Sequence, residues 1–304
     1  MKLDDAFMYL QGPIPSIRTP FKADGDIDFE SLRRLVDFCI AAGAKTIMLT
    51  AGDSHFICLS DQEIVDVTRV VCEQAAGKAM IISGDRFHST KRSIDLAVTL
   101  RGLGMDLFMP LPCDWGASTT PNSLAEHYAA IARHVPVMIV TNIFIPRGVE
   151  FGLETIRRSL DLSDQVVAIK DDMGGDFIQR LCMAEHNRVA ITAGGTKRHH
   201  LHMASFGSTA GYLSTFMTFK PDIAHRYWNA IVTKNWHAAR EIVREIDLPL
   251  FDHVMRYAGG FDAAMHGIME IYGISVRWRR PPYHSLTDAE MEKLRDFLRS
   301  KHLL

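Results

Sequence analysis

Lys170 closes an apolar run, Val166-Val167-Ala168-Ile169, and two carboxylates, Asp171 and Asp172, follow it directly. An ammonium at the end of a strand buried on both faces is costly to desolvate, which lowers an amine's pKa and favours its neutral, nucleophilic form. Such an amine adds to a carbonyl and forms a Schiff base. The protonated imine draws electrons from the neighbouring carbon, so a bond there can break without a metal. A salt bridge from Lys170 to Asp171 or Asp172 is the structural alternative, and position alone leaves the two open.

Four further segments pair useful chemistry with short apolar runs. Thr50-Ala51-Gly52-Asp53-Ser54-His55 is a small-residue turn whose backbone N–H groups and hydroxyls suit a carboxylate, although such a composition also makes an ordinary turn. Thr141-Asn142 ends another run, and Arg147 lies six residues after Thr141, where a guanidinium either grips a carboxylate in two places or is simply solvated. Gly194-Gly195-Thr196 and Gly211-Tyr212-Leu213-Ser214-Thr215 let a ligand approach the backbone closely. Phosphate binding is disfavoured there, because glycines at these ends admit any substrate equally.

These residues need a scaffold that gathers strand ends. Apolar runs near 13–18, 45–50, 78–83, 106–110, 136–141, 166–170, 189–193 and 208–213 alternate with amphipathic stretches near 29–42, 61–76, 89–103, 122–134, 152–160, 175–186 and 197–206. Ser60 and Asp28 supply helix start signals. Eight strands with helices between them predict an α/β fold, a (β/α)8 TIM barrel whose active site opens at the strands' C-terminal ends. A doubly wound sheet would carry a glycine fingerprint after its first strand, and no G-x-G-x-x-G stands there. From about 220 the pattern is wholly helical, broken at Arg279-Arg280-Pro281-Pro282. The expected organisation is a barrel core over 1–219, then the last barrel helix and a C-terminal helical extension over 220–304.

Composition bounds the partners. With 304 residues, 47% hydrophobic and 23% charged, the chain can build a large core, and 34 basic against 36 acidic residues give no pull toward nucleic acid or anionic lipid. Cys39, Cys58, Cys72, Cys113 and Cys182 are odd in number and form no C-x-x-C, which points to a reducing compartment. Asp4 and Asp5 stand where a signal peptide needs basic residues, and no stretch approaches the roughly 20 apolar residues that span a bilayer. A cytoplasmic protein handling small molecules is expected.

In order and spacing these segments resemble the dihydrodipicolinate synthase and N-acetylneuraminate lyase family of class I aldolases, over roughly residues 12–300. Gly12-Pro13, Thr19-Pro20-Phe21 and Asp24-Gly25-Asp26-Ile27-Asp28 resemble its opening strand and loop, and Thr50-Ala51-Gly52-Asp53-Ser54 its G-T-T-G-E-S turn. Ala168-Ile169-Lys170-Asp171 resembles its Schiff-base motif G-[IV]-K-[DE], and Gly207 through Ser214 its strand-eight segment. The resemblance implies that Lys170 binds the 2-oxo group of a pyruvate-like acid, with its carboxylate on the Thr50-Ala51 turn. It also implies a covalent lysine imine with no cofactor or metal, and assembly as a homodimer or homotetramer, for which Trp115 and Phe144 are candidate anchors.

The departures lie in the proton relay. The family's Y-N-x-P tyrosine is replaced by Thr141, its second tyrosine is missing from Leu111-Pro112-Cys113-Asp114-Trp115, and its second turn threonine is Ala51. A threonine hydroxyl is shorter than a phenol and a poorer acid and base. Asp53, His55, Asp85, His88 and Asp172 are the candidate replacements, with His55 and His88 preferred because imidazole titrates near neutrality. The expected catalytic set is thus Lys170, Thr50, Thr141, His55 and His88. The substrate-binding set is Ala51, Gly52, Asp53, Arg147, Gly194 and Leu213. Lys197-Arg198-His199-His200 either greets an acidic or polyhydroxylated substrate tail or begins a solvated helix. A metal site is not expected, since the H-x-H of His200 and His202 would diverge on a helix. These expectations define a Schiff-base lyase, with a non-catalytic 2-oxo-acid-binding protein as the alternative.

Overall fold

A computed structural model describes residues 1–206 and 210–304. Eight parallel strands form one sheet, β1 (Gly12–Ile14), β2 (Thr46–Met48), β3 (Met80–Gly84), β4 (Leu107–Met109), β5 (Val137–Val140), β6 (Val166–Asp171), β7 (Ala190–Ala193) and β8 (Gly211–Leu213). Each pairs with its sequence neighbour from β2 to β8, β8 returns to β1, and a parallel bridge between Ser16 and Met48 closes the cylinder. The (β/α)8 barrel is therefore present. Gly211 lies against the β1 backbone so tightly that any side-chain carbon would strike Gly12 and Leu10.

An N-terminal helix, α1 (Leu3–Tyr9), precedes the barrel. The crossovers are α2 (Phe29–Ala41), α3 (Asp61–Ala75), α4 (Thr90–Gly102), α5 (Pro121–Ala132), α6 (Val149–Leu162), α7 (Gly175–Glu185) and α8 (Lys197–Ala204). Asp28 caps α2 through Ser31 N–H, and Ser60 with Glu63 forms a capping box on α3. After β8 come α9 (Pro221–Val232), α10 (Trp236–Ile242), α11 (Leu248–Val254), α12 (Gly260–Ile271) and α13 (Asp288–Ser300).

Side-chain alternation sorts each strand into two cores. On β5, Val137 and Ile139 face the helices, while Met138 and Val140 fill the barrel with Ile14, Met48, Met80 and Leu107. On β6, Ile169 faces outward and Ala168 inward, which sends Lys170 toward the barrel mouth. Ala6 of α1 and the following Leu10 join this inner cluster, so α1 plugs the barrel floor. Phe144, expected as an exposed anchor, is instead fully buried against Phe151 and Gly152, whereas Trp115 is 92% exposed. No helix among the described residues is long and apolar enough to cross a membrane.

Candidate active site

At the C-terminal ends of the strands lies a cavity of about 280 Å³, lined by Thr50, Ala51, Gly52, Asp53, Met109, Leu111, Val140, Asn142, Lys170, Asp172, Gly194 and Leu213. Seven of the eleven sequence-derived candidates therefore meet here: Lys170, Thr50, Ala51, Gly52, Asp53, Gly194 and Leu213. Part of the strand-eight segment, residues 207–209, lies outside the described residues.

Lys170 and Asp172 are two apart along an extended chain and so share the inward face. Lys170 Nζ lies 2.7 Å from both Asp172 Oδ1 and Oδ2. Of the two states the sequence left open for this amine, the structure shows the ion pair, and with Asp172 as its partner. Burial pushes the Asp172 carboxyl above its ordinary range, Lys170 pulls it back, and the charges of Asp171 and Asp53 push it up again. Gly194 makes room for this pair, since a Cβ there would overlap Asp172 Oδ1.

Asp171 faces the other way and is fully buried. It accepts from Thr141 Oγ1 at 3.0 Å and from the N–H groups of Met173 and Gly174 at 3.1 Å, and its Oδ2 lies 2.7 Å from His199 Nε2. Thr141 in turn accepts from Asp172 N–H at 2.8 Å. Its hydroxyl therefore pins the end of β6, and Thr141 lies behind the cavity wall that the adjacent Asn142 lines.

The turn after β2 is braced from behind. Ser54 Oγ accepts from Thr50 N–H and donates to Ile17 O, while Asp53 N–H donates to Thr50 Oγ1. The N–H groups of Ala51 and Gly52 meet no acceptor among the described residues, and the Thr50 hydroxyl proton remains uncommitted. This is a ready anion cradle. Burial would raise the Asp53 carboxyl, but Arg18, the Ser16 hydroxyl and Lys170 outweigh it and hold the group below the usual carboxylate range.

The remaining candidates lie elsewhere. His55 Nε2 is 3.0 Å from His266 Nε2, and burial with help from Arg279 and Arg18 brings its pKa down to about 3. His88 is buried between Asp61, 3.3 Å from Nε2, and Asp85, 3.8 Å from Nδ1, and its pKa is also lowered, chiefly by burial. Arg147 is spent on the β4–α5 loop, donating to Asp114 Oδ2 at 2.6 Å and to Thr119 O at 2.9 Å while stacking on Phe151. Lys197 is buried in an ion pair with Asp247, and His200 is buried as well. Arg198 and His202 are exposed, so His200 and His202 diverge. The quartet is thus split between buried and exposed positions, and none of the four lines the cavity.

The expected site sets left out Arg18, the apolar wall of Met109, Leu111 and Val140, and Asn142, which was noted only as a strand end. Sequence reading weighed Asp172 as a salt-bridge partner of Lys170 and as a candidate proton carrier without choosing between it and Asp171 as the partner, although its two-residue spacing from Lys170 signals a shared face.

A parallel eight-stranded barrel whose sixth strand ends in a lysine amine, with the turn after its second strand on the same small cavity, defines a (β/α)8 barrel protein with a polar pocket at its mouth. The chain belongs to the dihydrodipicolinate synthetase family, whose sequence model matches residues 9–301. It is 31% identical to the 4-hydroxy-tetrahydrodipicolinate synthase of Chloroherpeton thalassium over 187 residues, 61% of this chain and 62% of that protein. The match thus spans under two thirds of that relative's length. Two solved structures share the fold over nearly their whole length. One is the dihydrodipicolinate synthase of Acinetobacter baumannii, solved with pyruvate, with 23% identity, a TM-score of 0.82, and coverage of 97% of this chain and 100% of that one. The other is the N-acetylneuraminate lyase of Fusobacterium nucleatum, with 15% identity, a TM-score of 0.84, and coverage of 96% and 99%.

Proposed function

We propose that the protein is a Schiff-base-forming lyase, an aldolase or dehydratase, acting on pyruvate or a related 2-oxo acid through Lys170. The observation that carries this reading is that Lys170 Nζ opens on the same small cavity as Ala51 and Gly52, whose N–H groups meet no acceptor among the described residues. The substrate carboxylate takes those N–H groups and the Thr50 hydroxyl, and the adjacent ketone turns to the amine. Met109, Leu111, Val140 and Leu213 keep the carbon beyond it dry. The cavity volume suits a small acid.

The ion pair with Asp172 does not oppose this chemistry. An ammonium and a ketone condense to an iminium and water, so the positive charge stays on the same nitrogen and Asp172 remains its counter-ion. The iminium is itself the electron sink, and no metal or cofactor is needed. With threonine in place of the family's tyrosine, the standard dihydrodipicolinate synthase reaction is disfavoured. Incubation with pyruvate and borohydride should add one pyruvate-derived mass, mapped to Lys170. Unmodified protein at saturating pyruvate, or label elsewhere, overturns the proposal.

The buried Thr141 hydroxyl favours a second reading, a 2-oxo-acid-binding protein without turnover, since the family's phenol has no direct substitute. Turnover of a panel of 2-oxo-3-deoxy sugar acids separates the two. Ligands that raise the melting temperature yet are never consumed support binding alone. Exposed Trp115 supports assembly as a homodimer or homotetramer, which sedimentation reads directly.

A further inference from the structure

We infer that Asp172 is the proton carrier of this site, doing at Lys170 what a tyrosine does elsewhere in the family; the inference rests on the Schiff-base reading above. Its two oxygens are both 2.7 Å from the nitrogen that must lose and regain protons, and it shares the cavity wall with that nitrogen. The other candidates are excluded by their own bonds. The Thr141 hydroxyl is used by Asp171 and Asp172 N–H, and His55 is committed to His266. Asp53 is paired with Arg18, 3.7 Å away. Among the described residues, Asp172 is the carboxylate in contact with the reacting atom.

The steps balance around one proton. Asp172 accepts a proton from the ammonium, leaving a neutral amine that attacks the ketone carbon, and the resulting alkoxide takes that proton back. Asp172 next removes a proton from the carbinolamine nitrogen and returns it to the hydroxyl, which departs as water and leaves the iminium. An ammonium gives Asp172 two N–H contacts and a protonated imine only one, so one carboxylate oxygen is released at that moment. That oxygen takes a proton from the adjacent carbon and generates the enamine. Gly194, with no side chain, leaves the carboxylate the space for this exchange.

The test uses pyruvate as probe and two readouts, borohydride trapping at Lys170 and exchange of the methyl hydrogens with deuterated water followed by NMR. Wild type is expected to do both. Asp172→Asn, folded by circular dichroism, should lose roughly 10²–10⁴-fold in exchange, the usual contribution of a general acid–base group. Loss of trapping together with exchange in a folded Asp172→Asn also supports the assignment, because both steps use the same carboxylate. Exchange within a few-fold of wild type overturns it while leaving the Schiff-base reading intact, and failure of the wild type to trap pyruvate overturns both.

Should Asp172→Asn not fold, Asp172→Glu decides. It should retain part of the exchange with a displaced pH profile, and an unchanged profile at full rate overturns the assignment. The charged groups that act on Asp172 are Lys170 and Asp171 of β6 and Asp53 across the cavity, with His199 of α8 behind Asp171. All four are unaltered in that comparison.

Discussion

Gly194 and Asp172 are in such close contact that the glycine's missing side chain is part of the site. A methyl group at 194 would overlap Asp172 Oδ1 and lie 2.8 Å from both Lys170 Nζ and Asp171 O. Backbone cannot retreat there, because Gly194 N–H donates to that same Asp171 O at 2.7 Å. The clash must therefore be relieved by the ion pair. Gly194→Ala should cost about 1–3 kcal/mol of stability, as overpacking does, and slow pyruvate trapping by roughly 10²-fold through misplacement of the amine. Denaturant unfolding and trapping time courses measure the two effects. A variant that traps at the wild-type rate would show that the pair has room the structure denies it.

Thr141 supports the same strand end from the other side. Thr141→Val removes both the donor to Asp171 and the acceptor for Asp172 N–H, leaving buried polar groups short of partners, at about 1–3 kcal/mol. Thr141→Ser keeps the hydroxyl and should stay near wild type. Thr141→Tyr installs the tyrosine that the family resemblance implies at this position, yet it should lower stability and give no gain in turnover, because position 141 is fully buried. A Thr141→Tyr variant as stable as wild type that turns over the sugar-acid panel faster would contradict this placement.

These two residues mark how far the sequence could be read. The strands were legible because a barrel strand buried on both faces is a continuous apolar run, and Lys170 stood out as an amine ending such a run. Strand lengths were overestimated, as with 45–50 against Thr46–Met48, since apolar residues continue into the buried loops. Helix α1 was missed because only Ala6 of its seven residues is fully buried, and its reason to exist is the barrel floor it covers. The His55 and His88 assignments came from the usual titration range of imidazole. That argument cannot see His266, 211 residues away, closing over His55. What was in reach was the spacing of Lys170 and Asp172, because strand periodicity alone puts positions 170 and 172 on one face.

Asp85 should give stability a distinctive pH dependence. It accepts from Leu111 N–H at 2.6 Å and Ser93 Oγ at 2.5 Å, but burial dominates and raises its carboxyl from an ordinary 3.8 to about 6. Between these values the folded protein holds a proton that the unfolded chain has released. This contribution is therefore complete at low pH, falls as pH rises from about 4 to about 6, and is absent above that, a change on the order of 3 kcal/mol. Asp85→Asn keeps an oxygen for Leu111 N–H and lacks the titration. The stability difference, variant minus wild type, should thus grow across that window. A difference that stays flat from pH 4 to 7 would place the proton elsewhere.

Arg18 ties the barrel mouth to the C-terminal extension, and its removal should be felt in both. The side chain is 1% exposed, with Nε 3.2 Å from Asp262 of α12, Nη2 3.7 Å from Asp53, and the guanidinium over the Phe261 ring. Burial raises the Asp262 carboxyl even with Arg18 beside it, while Arg18 is the chief influence holding Asp53 below its ordinary range. Arg18→Met leaves two carboxylates close together without their shared cation. Both are partly solvated, so the loss should lie near the lower end for a broken buried pair, about 3 kcal/mol at neutral pH. The sign of its pH dependence follows from the carboxylates. Stability that Arg18 confers by depressing Asp53 is present above the ordinary carboxylate range and lost as pH falls through the folded value, so the penalty of Arg18→Met should shrink in acid. Arg18→Met combined with Asp262→Asn should recover part of the loss, because one uncompensated charge is gone. Urea unfolding of the two variants at neutral and acidic pH separates this account from simple loss of packing, for which the penalty would not vary with pH and the second substitution would add to the damage.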